Sequence, residues 1–266
     1  MKFKNIQNKT ILITGAFGGL GRKFIKYFLE SDAKLILTDY MVPADLNTFF
    51  KEEKIPSKYK NNILSVFAAD LTQADSCKTI YDTVKKVAVI DILVNNAGIA
   101  AGGYFHNIPY EESQKIMQIN LLAPMELTHL FLQDFTRRKS GHLVYVSSVA
   151  GYIATAYGTS YSASKFGIRG FAMSVKGEYK NSNIDVSIIY PFFTKTNIIY
   201  NSKIYGDVPY KKMPGIFKQD PDKVILNAVK GIDSKKLHIH TDFFSDFMSF
   251  ANKFTPIISE QFKAEE

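Results

Sequence analysis

Four arginines, one cysteine and no apolar run long enough to cross a bilayer are the scarcities of this 266-residue chain. A membrane-spanning helix needs roughly 18 or more consecutive apolar residues, and no stretch comes near that. The start, MKFKNIQNKTILITG, has no long apolar region ahead of a small-residue cleavage site, so no secretory signal is expected. A single cysteine, Cys77, excludes an intramolecular disulfide and suits a reducing compartment. It lies in a polar stretch with no His nearby and is read as a structural thiol; the expected location is cytoplasmic. With Arg so scarce and no recognised binding motif, nucleic acid is a poor candidate partner. His238 and His240 share one strand face but no third ligand is apparent, so no metal is expected. Linkers, repeats and low-complexity blocks are also missing, which points to one domain over 1–266.

The composition that is present, 46% apolar and 22% charged, is that of an ordinary globular protein. The net charge of +8 is uneven: residues 195–236 hold nine Lys and four Asp with no Arg or Glu, a local +5. That stretch reads as a solvated face or as a basic rim attracting an anionic substrate or membrane surface. Short β-rich runs alternate with longer helical stretches, the pattern of βαβ units on a parallel sheet. Seven strands are predicted, at Thr10–Ile13, Lys34–Thr38, Ile63–Ala68, Ile90–Val94, His142–Val146, Asp185–Ile189 and Leu237–His240. They are apolar on both faces, as strands covered by helices on either side should be. Helices are predicted near Leu20–Glu30, Ala74–Val87, Tyr110–Thr136, Ser160–Tyr179 and Pro221–Lys230, and Lys51–Lys60 reads as an exposed excursion. In the extension 241–266, Phe243, Phe244, Phe247, Met248, Ala251 and Phe254 fall on one helix face before Pro256. This amphipathic helix is expected to pack on the domain or a second subunit, to cover an apolar substrate, or to touch a membrane peripherally.

The segment Thr14-Gly15-Ala16-Phe17-Gly18-Gly19-Leu20-Gly21 follows a strand and opens a helix. Glycine permits a tight turn and close approach of a pyrophosphate, and the free N–H groups at the helix start favour that anion. Asp39 ends the second strand 18 residues after Gly21, near the roughly 20-residue offset of a ribose-binding acid. Its carboxylate suits the 2′- and 3′-hydroxyls and repels a 2′-phosphate, and neither Gly18 nor Tyr40 brings a compensating cation. NAD is expected over NADP.

Tyr161 and Lys165 stand four apart, thirteen residues after Ser148. A phenol's pKa near 10 is too high for an efficient base at neutral pH. A lysine one helical turn away lies on the same face and should pull that pKa down. A serine hydroxyl at the carboxyl end of a strand can hold a substrate oxygen beside the phenol. The spacing alone is weak: 15 Tyr and 29 Lys (33 Lys plus Arg, less four Arg) give about 1.6 such pairs by chance. A second pair, Tyr81 and Lys85, lies in a polar helical stretch with no serine-ended strand before it, and reads as a solvated surface pair. Ser147 rivals Ser148, but adjacent strand residues point to opposite faces.

The ordered set of motifs resembles the short-chain dehydrogenase/reductase family, in its single-domain, minimal-length branch, over roughly residues 8 to 240. The matches are Thr14-Gly15-x-x-x-Gly19-x-Gly21, Asp70-Leu71, Asn95-Asn96-Ala97-Gly98, Asn120, Ser147-Ser148-Val-Ala-Gly151, Tyr161-x-x-x-Lys165, and Pro191 followed by Thr196. The resemblance implies a Rossmann-type, doubly wound, seven-stranded parallel sheet in three α/β/α layers. It implies Tyr161 as general acid/base, Lys165 on the nicotinamide ribose, Ser148 orienting the substrate oxygen and Asn120 anchoring a relay water. Cofactor contacts are implied for Gly15, Phe17, Gly19, Leu20, Gly21, Asp39, Asp70 at the adenine, Leu71, Asn96, Ala97, Gly98, Pro191 and Thr196 at the carboxamide. Relatives are commonly homodimers or homotetramers. One departure stands out: Phe192 and Phe193 follow Pro191 where the family usually has glycine. The expected activity is NAD-dependent interconversion of an apolar secondary alcohol and its ketone. A 3-oxoacyl-thioester reductase, which would suit the basic segment, and a catalytically idle nucleotide sensor are the alternatives.

Overall fold

Alternate residues of the central strands enter two separate cores, and that alternation builds three layers. In the computed structural model, which describes residues 3–194, 202–208, 219–242 and 245–246, β1 (Thr10–Thr14) sends Ile11 and Ile13 to one face and Leu12 to the other. Strands β2 (Lys34–Asp39), β3 (Ile63–Ala68), β4 (Ile92–Asn95), β6 (Gly141–Val146), β7 (Ile184–Tyr190) and β9 (His238–His240) complete one parallel sheet, in the order β3-β2-β1-β4-β6-β7-β9. Helices α1 (Gly19–Glu30) and α7 (Pro221–Asp233) cover the first face through Phe24, Phe28, Val224 and Ile225. Helices α3 (Ser76–Val87), α5 (Ala123–Arg138) and α6 (Thr159–Glu178) cover the second through Ile80, Phe131, Phe135 and Ile168. Each such buried side chain contributes ~1.5–3 kcal/mol to the burial term. The seven predicted strands and the doubly wound order are observed; in the edge strand β3 no residue is fully buried, and Leu64 and Ala68 are exposed on one face.

The order reverses between β1 and β4, which lie side by side with Ile13 opposite Val94. In open α/β sheets, ligands bind outside the carboxyl ends of the strands at such a reversal. Both the glycine turn and Asn95–Gly98 emerge there.

Four features depart from the predicted elements. Between β2 and β3, where no helix was predicted, α2 (Leu46–Glu52) forms, capped by the Asp45 side chain on the amides of Asn47 and Thr48, and buries Phe49 and Phe50. The excursion Lys51–Lys60 is therefore anchored by buried Glu53 and Ile55 rather than fully exposed. The single helix expected over Tyr110–Thr136 is α4 (Tyr110–Met117), a π turn (Gln118–Leu122) and α5 in succession. A small parallel pair, β5 (Ala101–Gly103) with β8 (Lys203–Tyr205), stands apart from the main sheet. Thr196 lies outside the described residues, as does the helix expected over Phe243–Phe254 except for Ser245 and Asp246.

Candidate functional site

The glycine turn is shaped by two close approaches. Gly15 has φ +61°, and a Cβ there would lie 2.7 Å from the Ala97 Cα. At Gly21 a Cβ would meet the Gly15 carbonyl at 2.2 Å. Neither position admits a side chain. Helix α1 begins with no side-chain cap and no acid in its first turn, so the amides at Gly19, Leu20 and Gly21 stay available to an anion. Asp39 holds the turn: its Oδ2 accepts the Phe17 N–H at 2.7 Å, leaving the other oxygen without a described partner. Arg22, the basic residue closest in sequence to the turn, is directed to Glu52 and Glu53 of the α2 region and lies over the Phe49 ring.

Asn96 joins the two strand ends. Its Nδ2 donates to the carbonyls of Thr14 and Gly15 at 3.1 and 2.7 Å, while the Thr14 hydroxyl accepts the amides of Asn96 and Ala97, each at 3.2 Å. Asp70 takes the Thr72 amide and hydroxyl at 2.9 and 2.8 Å, and the amide bond holds its carboxyl below the usual range. Leu71 beside it is buried in the second core.

On the other side of Gly98, two side chains converge. A Cβ on Gly98 would lie 3.3 Å from the Asn120 Oδ1 and 3.5 Å from the Lys165 Nζ. Asn120 sits in the π turn, a feature often found at functional positions. Its amide grips Ile99 from both sides, Oδ1 accepting the N–H and Nδ2 donating to the carbonyl, each at 2.9 Å, and Nδ2 also reaches Ser164 Oγ at 3.1 Å. The buried Lys165 donates from Nζ to the Val146 carbonyl at 2.9 Å, and burial pushes its pKa down to about 8.

Tyr161 is hydrogen-bonded to Ser148, and its ring centroid lies 5.5 Å from the Lys165 Nζ. Burial pushes the phenol above its ordinary pKa, and the Ser148 bond acts the other way. This departs from the expectation of a phenol already pulled down by its lysine: the Lys165 Nζ is turned to the Val146 carbonyl, and desolvation of the phenol dominates. Ser148 caps the short turn Val149–Gly151, accepting the Ala150 N–H at 3.1 Å and reaching the Pro191 carbonyl at 3.5 Å. Ser147 points away, its hydroxyl donating to the Lys165 carbonyl at 3.0 Å. Phe192, half-buried, packs on the second core and meets the Phe193 ring edge-on at 5.3 Å.

The rival pair is elsewhere, between α3 and α5. Tyr81 is half-buried against Phe131 and donates to Asp134 at 2.9 Å, as does Lys85. It is a packed and ion-paired cluster rather than a merely solvated one.

The short chain dehydrogenase family matches residues 9–203. "Dehydrogenase/reductase SDR family member 7B" of Mus musculus is 31% identical over 257 residues, covering 94% of this chain and 79% of that protein. "Epidermal retinol dehydrogenase 2" of Mus musculus is 30% identical over 259 residues, covering 96% and 80%. Among solved structures, a short-chain dehydrogenase from Sphingobium yanoikuyae in complex with NADPH has a TM-score of 0.76 at 21% identity, covering 95% of this chain and 96% of that one. One from Burkholderia phymatum in complex with NAD has a TM-score of 0.78 at 17% identity and covers 98% of each.

Proposed function

The chain belongs to the short-chain dehydrogenase family, and from that premise we propose that it uses NAD to interconvert an apolar secondary alcohol and its ketone. As an oxidoreductase of this family it acts on CH–OH groups. One observation carries the assignment of roles: Ser148, Tyr161 and Lys165 meet at the carboxyl ends of the strands, beside Gly98 and Asn120. Tyr161 exchanges the proton on the substrate oxygen and Ser148 holds that oxygen. A phenol kept protonated by burial is suited to protonate a ketone. In alcohol oxidation it must first lose that proton, which the Lys165 charge and the Ser148 hydrogen bond favour.

The residues present fit a nicotinamide dinucleotide, which when bound supplies the carbon that takes or gives the hydride. Gly19, Leu20 and Gly21 would hold its pyrophosphate through the uncapped amides of α1, and Gly15 and Phe17 would shape the turn beneath it. Asp39 would meet the adenosine ribose, and Asp70, Leu71, Asn96, Ala97 and Gly98 would line the path toward Lys165 and Pro191. Related folds carry either NAD or NADPH, so the preference rests on Asp39 and on Arg22 being engaged by Glu52 and Glu53. The apolar substrate class is supported by Phe192 and Phe193 after Pro191 and by the retinol dehydrogenase among the relatives. Ala163, Phe166, Gly170, Met173 and Gly177 form an uncharged exposed stripe on α6, which supports a homodimer or homotetramer.

The test is a turnover screen with NAD and NADP over alcohols graded by chain length and ring content. The expected result is kcat/KM at least tenfold higher with NAD, and higher for large apolar alcohols than for polyols. Comparable turnover with NADP removes the role given to Asp39. Polyols turning over best removes the substrate class.

A further inference from the structure

Arg169 stands on α6 one turn beyond Lys165 and two beyond Tyr161, along the same helix stripe. Among the described residues no carboxylate pairs with its guanidinium. Its Cζ instead lies 4.3 Å over the Tyr152 ring centroid, it hydrogen-bonds to Tyr190, and its buried Nε has no partner among the described residues. Planar stacking on an aromatic face is a geometry that guanidinium supports and ammonium does not.

Tyr152 is held on several sides. It is 6% exposed, tilted on Tyr190 at a centroid distance of 4.3 Å, and stacked on His240 at 5.7 Å. It also closes the turn that Ser148 opens: the Tyr152 amide donates to the Val149 carbonyl at 2.9 Å, and Gly151 donates to the Ser148 carbonyl at 2.9 Å. The beginning of this turn is fixed to the α6 backbone, through Ser147 Oγ on the Lys165 carbonyl and through Gly151, where a Cβ would lie 2.7 Å from that same oxygen. Its end is fixed to α6 by the Arg169 side chain. Backbone bonds from Ser147 to Ile189 and from Val149 to Pro191 tie only the start of the turn to β7. The Ser148 hydroxyl's bonds to Ala150 and Pro191 are internal or long, so its bond to Tyr161 depends on where the whole turn lies.

We propose that Arg169 is a positioning residue: stacked on Tyr152, it holds the Ser148 turn in register with Tyr161. One stripe of α6 then carries the proton-transferring phenol, its lysine and the anchor of the serine. The proposal rests on the roles given above to Ser148 and Tyr161.

Hydrogen exchange on the full-length protein tests it without any substrate. Arg169→Met should speed exchange at the amides of Gly151, Tyr152 and Ile153 at least tenfold while leaving Ser160–Val175 unchanged. In steady state, with NAD and the panel alcohol oxidised fastest, the same variant should lower kcat at least tenfold with the KM for NAD within twofold. Tyr152→Ala should behave alike, Tyr152→Phe should keep at least half of kcat, and Arg169→Lys should show the same effects at smaller size. In a Ser148→Ala background Arg169→Met should cost less than a further twofold, because the two act as a unit. Unchanged exchange, or an undiminished loss in the Ser148→Ala background, overturns the proposal. Arg169→Lys and Tyr152→Ala decide the matter if Arg169→Met does not fold. Full activity in Tyr161→Phe would instead remove the underlying reading, an outcome visible on its own.

Discussion

The two Tyr-x-x-x-Lys pairs have nearly the same internal geometry and opposite surroundings. The Lys85 Nζ lies 5.6 Å from the Tyr81 ring centroid, and the Lys165 Nζ lies 5.5 Å from that of Tyr161. Around Tyr81 and Lys85, Asp134 binds both partners, so the phenol's pKa is raised by burial and by the carboxylate, and the lysine's is raised by its hydrogen bond. Around Tyr161 and Lys165 no acid among the described residues contributes; the phenol has Ser148 and the lysine has a backbone carbonyl. One pair is satisfied as an ion cluster. The other is buried at an energetic cost, and the cost appears as a lysine pKa near 8. Helical spacing brings a phenol and an ammonium together in either place; the neighbouring charge decides what they can do.

The largest break in this comparison is removal of each phenol. Tyr161→Phe is expected to lower kcat by on the order of 10²–10⁴, with dinucleotide affinity retained, whereas Tyr81→Phe should leave kcat within twofold. Steady-state kinetics with a calorimetric binding measurement decides both.

A second test reads stability. The folded protein's Lys165 loses its proton near pH 8, the unfolded chain's near 10.5. Burying the charged form therefore costs stability in full below about pH 8, and the cost fades as pH rises from 8 to 10.5. Lys165→Met should stop turnover yet raise stability at pH 7, by at most on the order of 3 kcal/mol, offset by the lost bond to Val146. The gain should shrink across that alkaline window in thermal melts. A gain that grows with pH would contradict the burial cost.

The smallest effect is expected at Asp134. Asp134→Asn should lower stability by no more than about 1 kcal/mol, lower the Tyr81 pKa, and leave turnover unchanged. Spectrophotometric titration against a Tyr81→Phe control measures it. A change in turnover would mean that the two pairs are not independent.

Much of the sheet was legible because strands covered on both sides must be apolar throughout, and because glycine and asparagine follow the strands that end at the crevice. The order of Ser148, Tyr161 and Lys165 was legible for the same reason. Other features depend on distant partners. The β5 strand, Ala101-Gly102-Gly103, has little intrinsic β preference and forms against Lys203–Tyr205. The π turn at Gln118–Leu122 leaves an apolar pattern that looks like one uninterrupted helix. The direction of the Tyr161 pKa follows from burial, which spacing does not reveal. Nothing local to Arg169 announces that Tyr152 and Tyr190 replace a carboxylate as its partners. Nothing in sequence near Asp39 shows that Arg22 is engaged by Glu52 and Glu53, because that pairing needs α2 to fold.

The loop after β4 is pinned twice, by Asn96 to the β1 turn and by Asn120 to the α4–α5 helical run. In mechanical terms it is a beam clamped at both ends, and it forms the floor of the crevice. A clamped floor transmits strain but does not bend, so a larger ligand has to be accommodated by the walls. The turn at Gly15 and the side chains of Asn120 and Lys165 are thereby held at a set separation.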